Sequence, residues 1–149
     1  MINMKIEYSN NKIIIYLFKY DLSYDNVNNL NNEIKNIFIK LIKIYKLDFF
    51  GYFKVIIYRN KKYGSILEIE KIYSSDYEKE IIDLKIIVKD DIDIYLCFDE
   101  YPYLIDNNYI FVFNNKYYVN IKNIDNIYNY IEFGLPVYNI KNKLKKLIN

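Results

Sequence analysis

Between residues 24 and 45 apolar side chains recur at Val27, Leu30, Ile34, Ile37, Leu41 and Ile44, with Phe38 and Tyr45 beside them. Steps of three and four residues wind onto one stripe of an α-helix. They fit no face of a strand, where side chains alternate with a period of two. A stripe of this kind must be buried, so the rest of the chain has to supply a surface to receive it. Ser23 or Asp25 is placed to cap the first free backbone N–H groups. Lys40, Lys43 and Lys46 lie near the end where the helix dipole favours positive charge.

The flanking sequence supplies strands. Residues 5–8 and 12–18 predict a hairpin around Ser9-Asn10-Asn11, and asparagine tolerates the left-handed backbone that tight turns require. Ile13, Ile14 and Ile15 are β-branched and suit a pleated, buried strand. Residues 47–58 and 63–72 predict a second hairpin around Arg59-Asn60-Lys61-Lys62. Gly51 and Gly64 are positioned to bend it over the helix. Residues 81–88 and 92–98 predict a third hairpin, turning at Asp90-Asp91. Residues 109–113 and 116–121 predict a fourth, turning at Asn114-Asn115. Residues 73–80 read as a polar turn and 99–108 as a loop containing Pro102.

The end reads as helical. Ile124, Ile127, Tyr128 and Ile131 form a short apolar face after an Asn123 cap, with Gly134 just past its end and Pro136 preventing continuation. Residues 138–148 predict a last helix with Ile140, Leu144, Leu147 and Ile148 inward. The expectation is an α+β fold in one globular domain spanning residues 1–149. Its antiparallel or mixed sheet is built from successive hairpins, with one long amphipathic helix packed on a face and short C-terminal helices.

Composition narrows the chemistry. The chain has 149 residues and 52% hydrophobic content, which is enough apolar surface to form a core. It contains no Ala, Thr, Gln, His or Trp, and Arg59 is its one arginine. The residues that remain are those an AT-rich genome encodes most easily, and that bias alone supplies many of the 19 tyrosines. Without His there is no imidazole base and no imidazole metal ligand. With one Arg there is no cluster of guanidinium forks. The net charge of +2 is too small to indicate a polyanion partner. Charge is unevenly placed: residues 90–106 carry Asp90, Asp91, Asp93, Asp99, Glu100 and Asp106 with no basic residue. Residues 137–149 carry Lys141, Lys143, Lys145 and Lys146 with no acid. Cys97 is the single cysteine, which rules out an intrachain disulfide. The opening MINMKIEYSN lacks the apolar core of a secretory signal, and no apolar run is long enough to span a bilayer. Cytoplasmic residence is the expectation.

Four groupings are candidate sites. Asp90, Asp91 and Asp93 offer oxygen ligands, but their spacing does not match a Gly-containing Ca²⁺ loop, and adjacent Asp residues suit a hairpin turn. Glu68 and Glu70 share one face of a strand, the spacing from which paired carboxylates run acid–base chemistry. Solvated acids on a half-exposed strand are the ordinary alternative. Tyr16, Tyr52, Tyr58, Tyr63, Tyr117 and Tyr118 lie in strand-like runs, near Lys54, Arg59, Lys61, Lys62 and Lys116. Such a surface can stack unpaired bases while cations hold phosphates, and Lys54, Tyr58, Arg59, Lys61, Lys62 and Tyr63 are its candidate nucleic-acid-binding residues. The lysines of the tail can face solvent or an anionic surface. No phosphate-loop, dinucleotide or nucleophile-elbow motif is present, no cofactor is implied, and Cys97 has no histidine to activate it.

The leading expectation is a small non-catalytic protein-interaction or regulatory domain that binds a protein partner or self-associates. The alternatives are a single-stranded nucleic-acid binder using Tyr and Lys on a sheet face, and a carboxylate- or metal-dependent enzyme.

Overall fold

A computed structural model describes residues 3–9, 11–20, 22, 26–46, 50–73 and 81–138. The chain divides into two compact units, Met1–Asp90 and Asp91–Asn149.

The first unit follows the helical stripe. In sequence order come β1 (Asn3–Ser9), β2 (Lys12–Phe18), α1 (Val27–Tyr45), β3 (Gly51–Asn60), β4 (Gly64–Tyr73) and β5 (Ile82–Lys89). They form a five-stranded sheet in the order β1-β2-β4-β3-β5. Two expected hairpins are present: β1 pairs antiparallel with β2, and β3 with β4. Because β2 and β3 each run antiparallel to β4, they run parallel to one another with β4 between them. The helix carries the chain across that gap, a split β-α-β connection.

The expected caps Ser23 and Asp25 lie outside the described residues; Asn26 caps α1, its Oδ1 accepting the Asn29 N–H at 2.8 Å. Lys46, in the left-handed conformation, ends the helix. Leu30, Ile34, Ile37, Phe38 and Leu41 are buried against Ile15, Leu17, Phe53, Val55, Ile57, Leu67 and Ile69 of β2, β3 and β4. The stripe therefore finds its surface on one face of this sheet. Ile44 and Tyr45, at the far end of the helix, are exposed.

The third expected hairpin does not form. β5 leaves the register of a hairpin and lies parallel to β3, from Gly51 opposite Ile82 to Tyr58 opposite Lys89. The next strand, β6 (Ile94–Phe98), belongs to the other unit. Asp91, in the left-handed conformation, stands at the division between the two sheets rather than at a two-residue hairpin loop. The first sheet is therefore mixed.

The second unit adds β7 (Ile110–Phe113), β8 (Lys116–Asn120) and β9 (Gly134–Tyr138) to β6, in the antiparallel order β7-β8-β6-β9. The Asn114-Asn115 hairpin is present, with both residues left-handed. Where a short α-helix was expected over 124–131, the chain makes single turns of 3₁₀ helix at Ile121–Asn123 and Ile127–Asn129. The side chains of Asn120 and Asn126 accept the N–H groups of Lys122 and Tyr128 two residues on. These Asx turns offer the backbone local partners in competition with a longer helix. Gly134 opens β9 instead of ending a helix. The last helix expected over 138–148 lies outside the described residues beyond Tyr138, which ends β9. Tyr95, Cys97 and Tyr118 are buried on one face of the second sheet beside Phe111, Phe113, Leu135 and Val137. No described helix is long and apolar enough to cross a membrane.

Candidate functional site

The surface expected to bind nucleic acid lies on the β3–β4 hairpin. Asn60 builds its turn, accepting the N–H groups of Lys62 at 2.9 Å and Tyr63 at 3.0 Å on one side-chain oxygen. Arg59, Lys61, Lys62 and Tyr63 are thus gathered at one end, while Lys54 stands further along β3, opposite Glu70. The rings are not open beside these cations. Tyr58 is 3% exposed and Tyr63 is 2% exposed. Tyr63 packs on Phe18 with centroids 5.3 Å apart, and burial pushes its hydroxyl well above the ordinary tyrosine range. Lys89 Nζ sits 5.5 Å from the centre of the Tyr58 ring. Arg59 Nη1 lies 3.4 Å from Asp90 Oδ1. Stacking needs an open ring face, and neither ring offers one. Tyr16 is also buried, its hydroxyl donating to Glu7 Oε2 at 2.9 Å.

The carboxylate pair is matched by cations. Glu68 and Glu70 share a face of β4, flanked by Lys12 on β2 and Lys54 on β3. Lys12 Nζ donates to Glu68 Oε1 at 2.9 Å, which raises the lysine's pKa. This is a cross-strand charge ladder. The aspartates of 90–93 have separate roles: Asp90 faces Arg59, Asp91 is exposed, and Asp93 accepts from Asn120 Nδ2 at 3.4 Å. Among the described residues, no three His, Cys, Asp or Glu side chains group to hold a metal ion. Cys97 is buried beside Tyr118, whose hydroxyl is pushed up to about 12 by burial and by its hydrogen bond with Cys97. The basic tail lies outside the described residues.

A different surface gathers rings at the edge of solvent. After β6 the chain turns at Pro102–Ile105, closed by the Ile105 N–H donating to the Pro102 carbonyl at 3.1 Å. Pro102 and Ile105 are buried and hold the turn down. At its corner stand Tyr103, 86% exposed, and Leu104, 87% exposed. Turn corners favour small polar residues for their backbone chemistry, so a large aromatic and a large aliphatic side chain here need another reason.

The corner is continuous with a ring cluster. Tyr101 lies between Tyr103 at 5.4 Å and Tyr117 of β8 at 5.3 Å, centroid to centroid, both in edge-on geometry. The Tyr101 hydroxyl donates to Asn107 Oδ1 at 2.6 Å and so holds its ring in place. Asp106 Oδ1 accepts the Asn108 N–H at 2.9 Å and starts the helical turn Asn107–Tyr109. Val112 of β7, directly opposite Tyr117 in the register, extends the surface and is exposed. Along the chain Asp99 and Glu100 precede Tyr101 and Asp106 follows Ile105, an acidic rim whose three residues are all exposed. Lys116 Nζ lies 3.4 Å from Asp99 Oδ1.

Sequence reasoning read 99–108 as a loop and missed this surface. The available signal was the apolar run Tyr101-Pro102-Tyr103-Leu104-Ile105 set between acids and asparagines, where a solvated loop would be polar throughout. No family model, no curated protein and no solved structure matches this chain.

Proposed function

We propose that this chain is a small non-catalytic cytoplasmic module that binds a protein partner through the Tyr101–Tyr103–Leu104–Tyr117 surface of its second unit. One observation carries the reading: the chain buries Pro102 and Ile105 to hold Tyr103 and Leu104 outward at 86% and 87% exposure. Each such side chain gains about 1.5–3 kcal/mol when it is buried, and a partner's surface realises that gain. The Tyr101 ring is already fixed by Tyr117 and Asn107, so its part in docking loses little side-chain freedom. The absence of catalysis is inferred from a sequence without histidine and from lysines matched to Glu68 and Glu70.

The test places a photo-cross-linking side chain at position 103 in the protein expressed in its own cells, with the exposed position 85 of β5 as the control. Discrete adducts from position 103 that are absent from position 85 are expected. No adducts from 103, or the same adducts from both, overturn the proposal.

A further inference from the structure

We infer that the segment this surface takes is a cationic peptide, with Lys or Arg side chains laid across the tyrosine rings and against the carboxylates of the rim. The inference rests on the interaction reading above and names the chemistry of its partner.

Two properties of the surface coincide. The Tyr103 ring stands open to solvent, its face carries the negative part of the ring quadrupole, and a cation within about 6 Å of the ring centre is attracted to it. The first unit already uses that contact, with Lys19 over Phe18, Lys71 over Phe53 and Lys89 over Tyr58 at 5.5–5.8 Å. In the second unit, Tyr103 is open, and among the described residues no cation lies over its ring. Among the described residues the rim adds Asp99, Glu100 and Asp106, with Lys116 beside Asp99, three acids less one base, a net charge of −2 for these four side chains. Asp99 keeps 85% of its side chain in solvent while near Lys116, so its carboxylate stays open to a second cation.

The same charges disfavour the other occupants. Nucleic acid and anionic lipid surfaces carry the sign of the rim and are repelled by it. A second copy docked through this patch about a two-fold axis sets Asp99, Glu100 and Asp106 against themselves. A segment with lysines or arginines spaced by aliphatic residues matches both features, its cations meeting rings and carboxylates and its aliphatic groups meeting Leu104 and Val112.

The experiment uses the full chain and three fluorescein-labelled 12-residue probes of alternating sequence: Lys-Val, Gln-Val and Glu-Val. Binding is followed by fluorescence anisotropy at low and physiological salt. The Lys-Val probe is expected to bind at least about tenfold more tightly than Gln-Val, and Glu-Val not at all. Tyr103→Ser with Leu104→Ser, and separately Asp99→Asn with Glu100→Gln, should each weaken Lys-Val about tenfold or more. Glu70→Gln with Asp83→Asn, the same loss of two negative charges in the other unit, should leave it unchanged. All substituted positions are solvent-exposed, and circular dichroism with thermal melting confirms that the variants keep their fold.

Equal binding of Lys-Val and Gln-Val, lost on substitution at 103 and 104, overturns the cationic assignment while leaving the interaction reading in place. So does failure of every probe alongside position-specific cross-links from 103. Lys-Val binding that survives both pairs of substitutions is non-specific charge attraction and overturns the inference. Capture by phosphatidylcholine or phosphatidylserine vesicles that depends on Tyr103 and Leu104 makes the surface a lipid contact and overturns both readings.

Discussion

Phe38 of the helix meets Phe53 of the following strand edge to face, with ring centroids 5.2 Å apart and planes at 86°. This contact joins the middle of the amphipathic stripe to the sheet that receives it. Phe38→Ala removes a fully buried ring and should destabilise the first unit by about 3–5 kcal/mol. Phe53→Ala should act similarly, and a double-mutant cycle should return a coupling of about 0.5–1.5 kcal/mol for the aromatic pair. Urea unfolding followed by circular dichroism measures both.

Asn26 satisfies one of the free N–H groups at the start of the same helix. Asn26→Ala should cost about 1 kcal/mol, whereas Asn26→Asp or Asn26→Ser should hold stability near the parent. The midpoint of urea unfolding is the readout.

Gly64 sits at the head of β4 with φ of +125°, and a Cβ there would stand 2.5 Å from the Leu17 carbonyl oxygen and 2.8 Å from the Lys19 nitrogen. Both neighbours are backbone and cannot swing away. Backbone strain alone costs about 1–3 kcal/mol, and the overlap adds to it. Gly64→Ala should therefore destabilise the first unit more than Asn26→Ala does. Comparing their unfolding midpoints checks the order.

Several tyrosine hydroxyls hold their protons longer in the folded state. Burial is the main cause for Tyr20, pushed up to about 12 with help from its hydrogen bond to Glu33, and for Tyr118, also near 12. Tyr16 and Tyr63 shift upward for the same reason. An unfolded tyrosine ionises near 10. A folded-state pKa above that value contributes stability that is complete below about pH 10 and is lost as pH rises toward 12. Urea midpoints should be flat below pH 9 and fall steeply above pH 10. Absorbance at 295 nm should show a late class of tyrosines that merges with the rest once urea unfolds the chain.

What could be read from the sequence follows from which interactions are local. The helix was legible because its stripe is periodic, and the Asn-Asn turn at 114–115 because a tight turn needs residues that tolerate positive φ. The assignment of β5 was not legible. Asp90-Asp91 resembles a hairpin turn, but pairing with β3 is fixed by contacts some thirty residues apart, Gly51 with Ile82 and Val55 with Ile86. The helix expected near Ile124 gave way to Asx turns because Asn120 and Asn126 bind their own backbone. The candidate surface was hidden by composition. Tyr58 and Tyr103 each sit in a run of apolar residues with a charge nearby. Only tertiary packing makes one 3% and the other 86% exposed.

Hydroxyl-radical footprinting of the folded protein, read tyrosine by tyrosine by mass spectrometry, tests that division most directly. Tyr103 should be among the fastest tyrosines to be modified, with Tyr58 and Tyr63 protected until urea unfolds the chain. Modification of Tyr58 and Tyr63 at the rate of Tyr103 in the native protein would contradict the assignment of the binding surface to the second unit.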